Sequence, residues 1–268
     1  MANEYLKRTP TTTGNRKAFT ISSWVKRGTS GAVVDTIFSR YSGNDNNNFL
    51  GLYINSNDFL YVTGWSGIYV QSLALFRDTS SWCHIVLSVD TTENNAGDRM
   101  KLYVNGSLAN LTTYNAPSER QDLVINEAAE HRVGSYASNY LKGNIFDQFF
   151  VDGQALGPDV FGFYKDGDGY QSSGSSRATD FRPGQWMPHA PSKIKKDINR
   201  RGGFGVNGFY LPMNDSSNPG ADFHCAPNSI IKLKGEDLPQ PRNGAPTTSD
   251  SYVSQLREEQ GTLGFDGC

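Results

Sequence analysis

Short strand-like runs rich in apolar residues recur through the first 155 positions, separated by Gly, Asn, Asp and Ser. In residues 17–26, Phe19, Ile21 and Val25 fall on one face and Thr20, Ser22 and Trp24 on the other. That is the pattern of a half-buried strand with one large aromatic on its polar side. Further strands are predicted at 33–39, 49–54, 59–62 and 68–75, with turn compositions between them at 43–48, 55–58 and 64–67. The run Trp82-Cys83-His84-Ile85-Val86-Leu87-Ser88-Val89-Asp90 and the following 99–106 predict a hairpin. Its second strand ends on Asn105-Gly106, a dipeptide suited to a tight turn with positive φ, so another reversal follows at once. A polar loop is expected at 109–130, then strands at 131–135 and 143–151, the latter closed by an Asp152-Gly153 turn. No sustained 3.6-residue apolar period occurs in this region, which leaves room for a single helical turn at 126–130.

Beyond residue 155 the pattern changes. Residues 164–191 are dominated by Gly, Ser, Asp, Arg and Pro, a composition that builds no core of its own and is too long for a routine connection. One strand, 208–211, is placed to return to the body, and 214–268 is mostly polar, with a short helix predicted at 252–259. The expected organisation is an N-terminal arm and first strand (1–16), an antiparallel two-sheet sandwich (17–163 with 202–215), a polar insertion (164–201) and an extended tail (216–268).

Aromatic residues make up 12% of the 268-residue chain against 37% hydrophobic overall, so the expected core is thin and aromatic-rich. The 25 Lys and Arg against 27 Asp and Glu give no field that would draw nucleic acid or an anionic membrane. No stretch approaches the roughly 18 apolar residues of a membrane span, and the first ten residues lack the apolar centre of a secretory signal; synthesis in a cytoplasm is expected. Cys83, Cys225 and Cys268 are too few and scattered for a disulfide framework or zinc site, and Cys268 is the one candidate for an intermolecular bond.

Several segments taken in order carry a family likeness. Tyr5-Leu6-Lys7-Arg8-Thr9-Pro10, Gly14-Asn15-Arg16-Lys17, Phe19-Thr20-Ile21-Ser22-Ser23-Trp24-Val25-Lys26-Arg27, Trp82-Cys83-His84-Ile85-Val86, Lys101-Leu102-Tyr103-Val104-Asn105-Gly106, His131-Arg132-Val133-Gly134 and Phe150-Val151-Asp152-Gly153-Gln154-Ala155-Leu156 resemble the laminin-G-like, concanavalin A-like jelly rolls of tailed-phage virion proteins. Asn207-Gly208-Phe209-Tyr210-Leu211 with Asn214-Asp215 resembles the strand that follows the long insertion in that group, so the likeness spans roughly residues 3–220. It implies a two-sheet antiparallel jelly roll and a place on a virion assembled in the host cytoplasm. Members of the wider superfamily bind glycans, proteins or calcium, or hydrolyse glucans, so the fold alone does not settle the activity.

The residues argue against catalysis. Retaining glycoside hydrolysis needs two carboxyls about 5–5.5 Å apart, and the chain has no Glu-x-Asp-x-Glu strand. Gly203-Phe204-Gly205-Val206-Asn207-Gly208 satisfies G-x-G-x-x-G in form, yet it follows a basic loop and leads into a strand, the wrong context for a dinucleotide. Asp166-Gly167-Asp168-Gly169 begins like a calcium loop, but Tyr170 and Arg177 stand where an EF-hand needs oxygen ligands. A looser calcium site on Asp166 and Asp168 is the weak alternative to a solvated turn; no other cofactor is implied. His84 and His131 read as structural.

The remaining candidates concern binding. Trp65, Tyr69, Tyr170 and Trp186 lie in or beside loops, where aromatic faces stack on sugars, anchor an interface or are partly buried in their own domain. Asn44 to Asn48 offer side-chain oxygens in a neighbouring loop. Lys193, Lys195, Lys196, Arg200 and Arg201 form the sharpest charge cluster, either a solvated loop or a contact with an acidic neighbour subunit or DNA, of which the interleaved Ile194 and Ile198 suit docking on protein better. Two functions are open: a head decoration or cement protein held by its arms to the major capsid protein, other virion proteins or further copies of itself, and a tail-fibre or adhesin component that binds a host glycan.

Overall fold

A computed structural model of the chain describes residues 4–40, 49–64, 67–165, 184–215 and 218–224. Along these residues run β1 (Leu6–Arg8), β2 (Ala18–Arg27), β3 (Asp35–Arg40), β4 (Leu50–Ile54), β5 (Phe59–Gly64), β6 (Tyr69–Leu75), β7 (Cys83–Asp90), β8 (Met100–Val104) and β9 (Ser107–Leu108). There follow β10 (Leu111–Asn115), β11 (His131–Val133), β12 (Ser135–Tyr136), β13 (Asn139–Tyr140), β14 (Gly143–Asp152), β15 (Gly162–Lys165), β16 (Gln185–Pro188), the helix α1 (Pro191–Arg200) and β17 (Phe209–Leu211). A seven-stranded sheet has the order β1-β11-β3-β4-β5-β6-β10, and a six-stranded sheet the order β17-β14-β2-β7-β8-β9. Every pairing described is antiparallel, and the two sheets form a sandwich.

The main core lies between the sheets. Phe19, Ile21 and Val25 of β2 meet Leu50, Leu52 and Ile54 of β4 and their neighbours, all buried. A second core covers the outer face of the six-stranded sheet, where Val86, Phe149, Val151 and Tyr210 pack against Leu156, Phe161, Ile194, Ile198 and Phe204. Burial on both faces explains why β7 and the end of β14 read as continuous apolar runs. The hairpin turn forms as the sequence predicts: Asn105 has φ 46° and Gly106 has φ 81°. No helix among the described residues is long and apolar enough to cross a membrane.

Three expectations need correction. The predicted loop 109–130 contains β10, which pairs with β6 at the sheet edge; its Thr112, Thr113 and Asn115 remain polar because an edge strand faces solvent. No helical turn forms at 126–130, since Asn126 takes φ 72°, outside the right-handed helical region. Part of the expected arm 164–201 is folded onto the body. Strand β16 pairs with β15, and α1, opened by Pro191 in its first turn, buries Ile194 and Ile198 four residues apart. Residues 166–183, most of the C-terminal tail and the helix predicted at 252–259 lie outside the described residues.

A bulge in β14 brings one buried acid into the fold. Phe146 pairs with Trp24 and Phe149 with Ser22, so one extra residue is absorbed between them, and Asp147 takes φ 48° there. The Tyr210 hydroxyl donates to Asp147 Oδ1 at 2.6 Å. Burial pushes the carboxyl up to about 6, and the Tyr210 hydrogen bond only partly opposes that rise. The native state therefore holds more protons than the unfolded chain across about pH 4–6, and stability falls as pH rises through that window. Asp147→Asn keeps an acceptor for Tyr210 and tolerates positive φ. It is expected to raise stability by roughly 2–3 kcal/mol at pH 7 and leave it nearly unchanged at pH 4, measured by urea denaturation at both values.

Candidate functional site

Strands β4, β5 and β6 place a band of tyrosines on the outer face of the seven-stranded sheet. The inward positions Leu50, Leu52, Ile54, Leu60, Val62 and Val70 enter the core, so the alternate positions Tyr53, Tyr61 and Tyr69 point outward. Tyr53 and Tyr61 are cross-strand partners with rings stacked at 5.8 Å and 16°. Tyr69 stands edge-on to Tyr61 at 5.2 Å and 83°. The hydroxyls are wired together: Tyr69 donates to the Tyr61 oxygen at 2.7 Å, and Tyr61 donates to Gln71 Oε1 at 2.7 Å. Tyr53 and Thr63 complete the row with a 3.4 Å hydroxyl pair. Tyr61 is only 9% exposed, whereas Tyr53 and Tyr69 are half-buried and keep part of each ring in solvent.

The chemistry of this face is neutral. Burial, with the Tyr69 hydrogen bond next, pushes Tyr61 up to about 12, and burial likewise raises Tyr53. Strands β4, β5, β6 and β10 carry no acidic side chain. The surface offers aromatic rings, hydroxyls and an amide, a set suited to stacking and hydrogen bonding.

Tyr69 is thus the one candidate from the sequence that stands in this band, and Tyr53 and Tyr61 were missed. Their signal was available in the alternation of 49–54 and 59–62, where they occupy the outward positions. Trp65, Asn44 to Asn48, Tyr170, Asp166 and Asp168 lie outside the described residues, as do Cys225 and Cys268. Among the described residues, no group of three or more His, Cys, Asp and Glu side chains is placed to hold a metal ion.

The basic cluster lies far from the tyrosines in the fold. It is carried by α1 on the outer side of the six-stranded sheet, and the apolar residues between its cations dock on the chain's own second core rather than on another protein. Lys193 pairs with Asp197 at 2.7 Å, and Lys195 Nζ donates to the Phe223 carbonyl at 3.2 Å. Lys193, Lys196, Arg200 and Arg201 are exposed.

His84 and His131 both serve the framework. His84 lies between Trp24 and Trp186, stacked on Trp24 at 4.9 Å and on Trp186 at 6.0 Å. Trp186 Nε1 donates to His84 Nδ1 at 3.0 Å, which leaves His84 Nε2 to donate to Ser22 Oγ at 2.9 Å. Burial pushes His84 down to about 3, so the ring is neutral at physiological pH. His131 accepts from the Asn126 amide and donates to the Ala129 carbonyl, and burial pushes it down to about 4. The Cys83 thiol is pushed up to about 12 by burial.

Residues 2–159 match the family model described as the Concanavalin A-like lectin/glucanases superfamily, a laminin-G-type model. The chain belongs to that superfamily. No curated protein matches it. Among solved structures it is similar to the heptameric SAP-like pentraxin of Limulus polyphemus, with 19% identity, 57% of this chain and 70% of that chain covered, and a TM-score of 0.41. It is also similar to a putative carbohydrate binding protein from Bacteroides ovatus (17% identity, 59% and 43% covered, TM-score 0.41). The carbohydrate-binding module of the Ruminococcus gnavus IT-sialidase, solved with α2,3 sialyllactose, matches at 12% identity over 57% of this chain and 95% of that chain, with a TM-score of 0.40.

Proposed function

We propose that this chain is a non-enzymatic glycan-binding protein of a phage particle, and that the tyrosine band on the seven-stranded sheet is its glycan surface. One observation carries the reading: Tyr53, Tyr61 and Tyr69 line up across three adjacent strands with their hydroxyls fixed by Gln71 and Thr63. Sugar rings present flat C–H faces to such rings and hydroxyls to such acceptors. Hydrolysis at this surface would need a carboxyl pair, and its strands provide none.

The phage setting rests on the ordered series of sequence motifs. Attachment to the particle is ascribed to the opposite side, where Lys193, Lys196, Arg200 and Arg201 present an exposed basic surface. An acidic neighbour, such as a major capsid protein or another copy of this chain, would fit that surface. The head-decoration reading uses this contact alone, and the adhesin reading uses both faces.

A glycan array followed by calorimetry tests the proposal. Wild-type protein is expected to bind at least one glycan, and Tyr69→Ala to weaken binding about 10-fold with the fold intact by circular dichroism. Absence of any array signal, or affinity unchanged in both Tyr53→Ala and Tyr69→Ala, would overturn it. Immunogold label on the tail of intact particles would favour the adhesin form, and label spread over the head the decoration form.

A further inference from the structure

The outer face of the six-stranded sheet is only partly sealed by the second core. The row of side chains next to that core consists of Phe146, Trp24 and His84 on β14, β2 and β7, continued by Asn105 at the β8–β9 turn. The β15–β16 hairpin overhangs this row. Between the hairpin and the segment before β7 lies a cleft of about 810 Å³, walled by Trp82, Phe146, Tyr164 and Trp186. That volume falls in the range of small-molecule sites, roughly 300–1,000 Å³.

The walls are held in place by specific contacts. Trp186 is fixed by its hydrogen bond to His84 and by two glycines: a Cβ on Gly106 would stand 2.3 Å from the indole, and one on Gly162 would stand 2.6 Å from it. The Tyr164 hydroxyl donates to the Asn105 carbonyl at 2.7 Å and lies 2.9 Å from Ser107 Oγ. Trp82 meets Phe146 edge-on at 6.1 Å. Despite this ordering, Trp82 is 42% exposed, Phe146 37% and Tyr164 47%. Large aromatic surface held open in one concavity, instead of packed away, marks a binding site.

The lining also defines what fits. Among the described residues that line the cleft none is charged; their polar groups are the hydroxyls of Ser80, Ser81, Ser107 and Tyr164 and the amides of Asn105 and Gln185. A charged ligand would lose its hydration here without gaining a counter-charge. An uncharged chain with flat C–H faces and many hydroxyls matches both the rings and the rim. We propose that this cleft is a second carbohydrate site, specific for a neutral oligosaccharide, on the sheet opposite the tyrosine band.

The site stands independently of the first, and the experiment keeps them apart. Tyr53→Ala/Tyr69→Ala protein, whose tyrosine band is disabled, is titrated by calorimetry with glucose-, mannose-, galactose- and xylose-based hexasaccharides, with a uronic-acid hexasaccharide and a proline-rich peptide as contrasts. At least one neutral hexasaccharide is expected to bind and to shift tryptophan emission. Adding Trp82→Ala should weaken that binding at least 10-fold, and Ser81→Arg, at the exposed rim, should weaken it without removing any aromatic wall. Silence from every neutral hexasaccharide, affinity unchanged in both added variants, or preference for the uronate or the peptide would each overturn the proposal. Loss of binding only in the tyrosine variants would leave the first site standing and remove this one.

Discussion

Asp152→Ala is expected to cost about 3–5 kcal/mol of stability, because one carboxylate joins four distant segments of the chain. Asp152 Oδ1 accepts from the Asn15 amide at 2.8 Å and from Asn126 Nδ2 at 2.6 Å, and Oδ2 accepts from the Asn207 amide at 3.1 Å. Asn207 Nδ2 closes the ring by donating to Asn126 Oδ1 at 2.8 Å and to the Thr12 carbonyl at 3.0 Å. Asp152, Asn126 and Asn207 are all buried. Truncation therefore leaves buried donors with no acceptor, at roughly 1–3 kcal/mol for each. The surroundings leave no space for rearrangement, since a Cβ on Gly14 would stand 2.3 Å from Asp152 Oδ2 and one on Gly205 would stand 2.3 Å from its carbonyl. The midpoint of urea denaturation should fall with little change in slope. A loss under 1 kcal/mol would mean that water replaces the carboxylate and that the seam is not closed.

This hub shows what the sequence leaves hidden. Asp152-Gly153 is legible as a turn, and Gly153 with φ 91° behaves as one. The partners of Asp152 lie 26 to 137 positions away, beyond the reach of any local pattern. Strand periodicity was readable where one face is apolar and the other is polar or small, as in β4 and in β2, although in β2 the polar face, Thr20, Ser22 and Trp24, is buried as well. It failed at β10, whose edge position leaves polar residues on display, and at α1, where only Ile194 and Ile198 carry the apolar period amid charged neighbours. Trp24, anomalous on the polar face of its strand, is explained by the covering hairpin: it lies 8% exposed against His84, under Trp186. Tyr69 was legible because it borders a loop. Tyr53 and Tyr61 look like ordinary strand residues until neighbouring strands align them.

Arg27→Ala should be comparably damaging, and its effect should depend on pH. Arg27 is buried, with Nε 2.7 Å from Asp35 Oδ2 and Nη1 2.7 Å from Asp58 Oδ1, and it also donates to the Phe76 carbonyl. Asp35 in turn accepts from the Lys142 amide at 2.7 Å, and Asp58 accepts from the Gly31 amide at 2.7 Å and from Arg77 at 3.0 Å. Removing the guanidinium strands two buried carboxylates, for which about 3–5 kcal/mol is the usual loss. Burial by itself raises Asp58, but hydrogen bonds from Arg27, Gly31 and Arg77 outweigh it and hold the carboxyl below its ordinary value. A depressed carboxyl contributes stability that is present above the unfolded value of about 3.9 and is lost as pH falls through the folded value. Without Arg27 the burial is less opposed, the Asp58 carboxyl rises, and protonation relieves part of the strain in acid. The difference between wild type and Arg27→Ala should therefore be largest near pH 7 and shrink towards pH 3–4. Urea denaturation of both proteins at the two pH values measures this. A gap that stays constant with pH would show that Arg27 acts through packing of its side chain, with its charge contributing nothing.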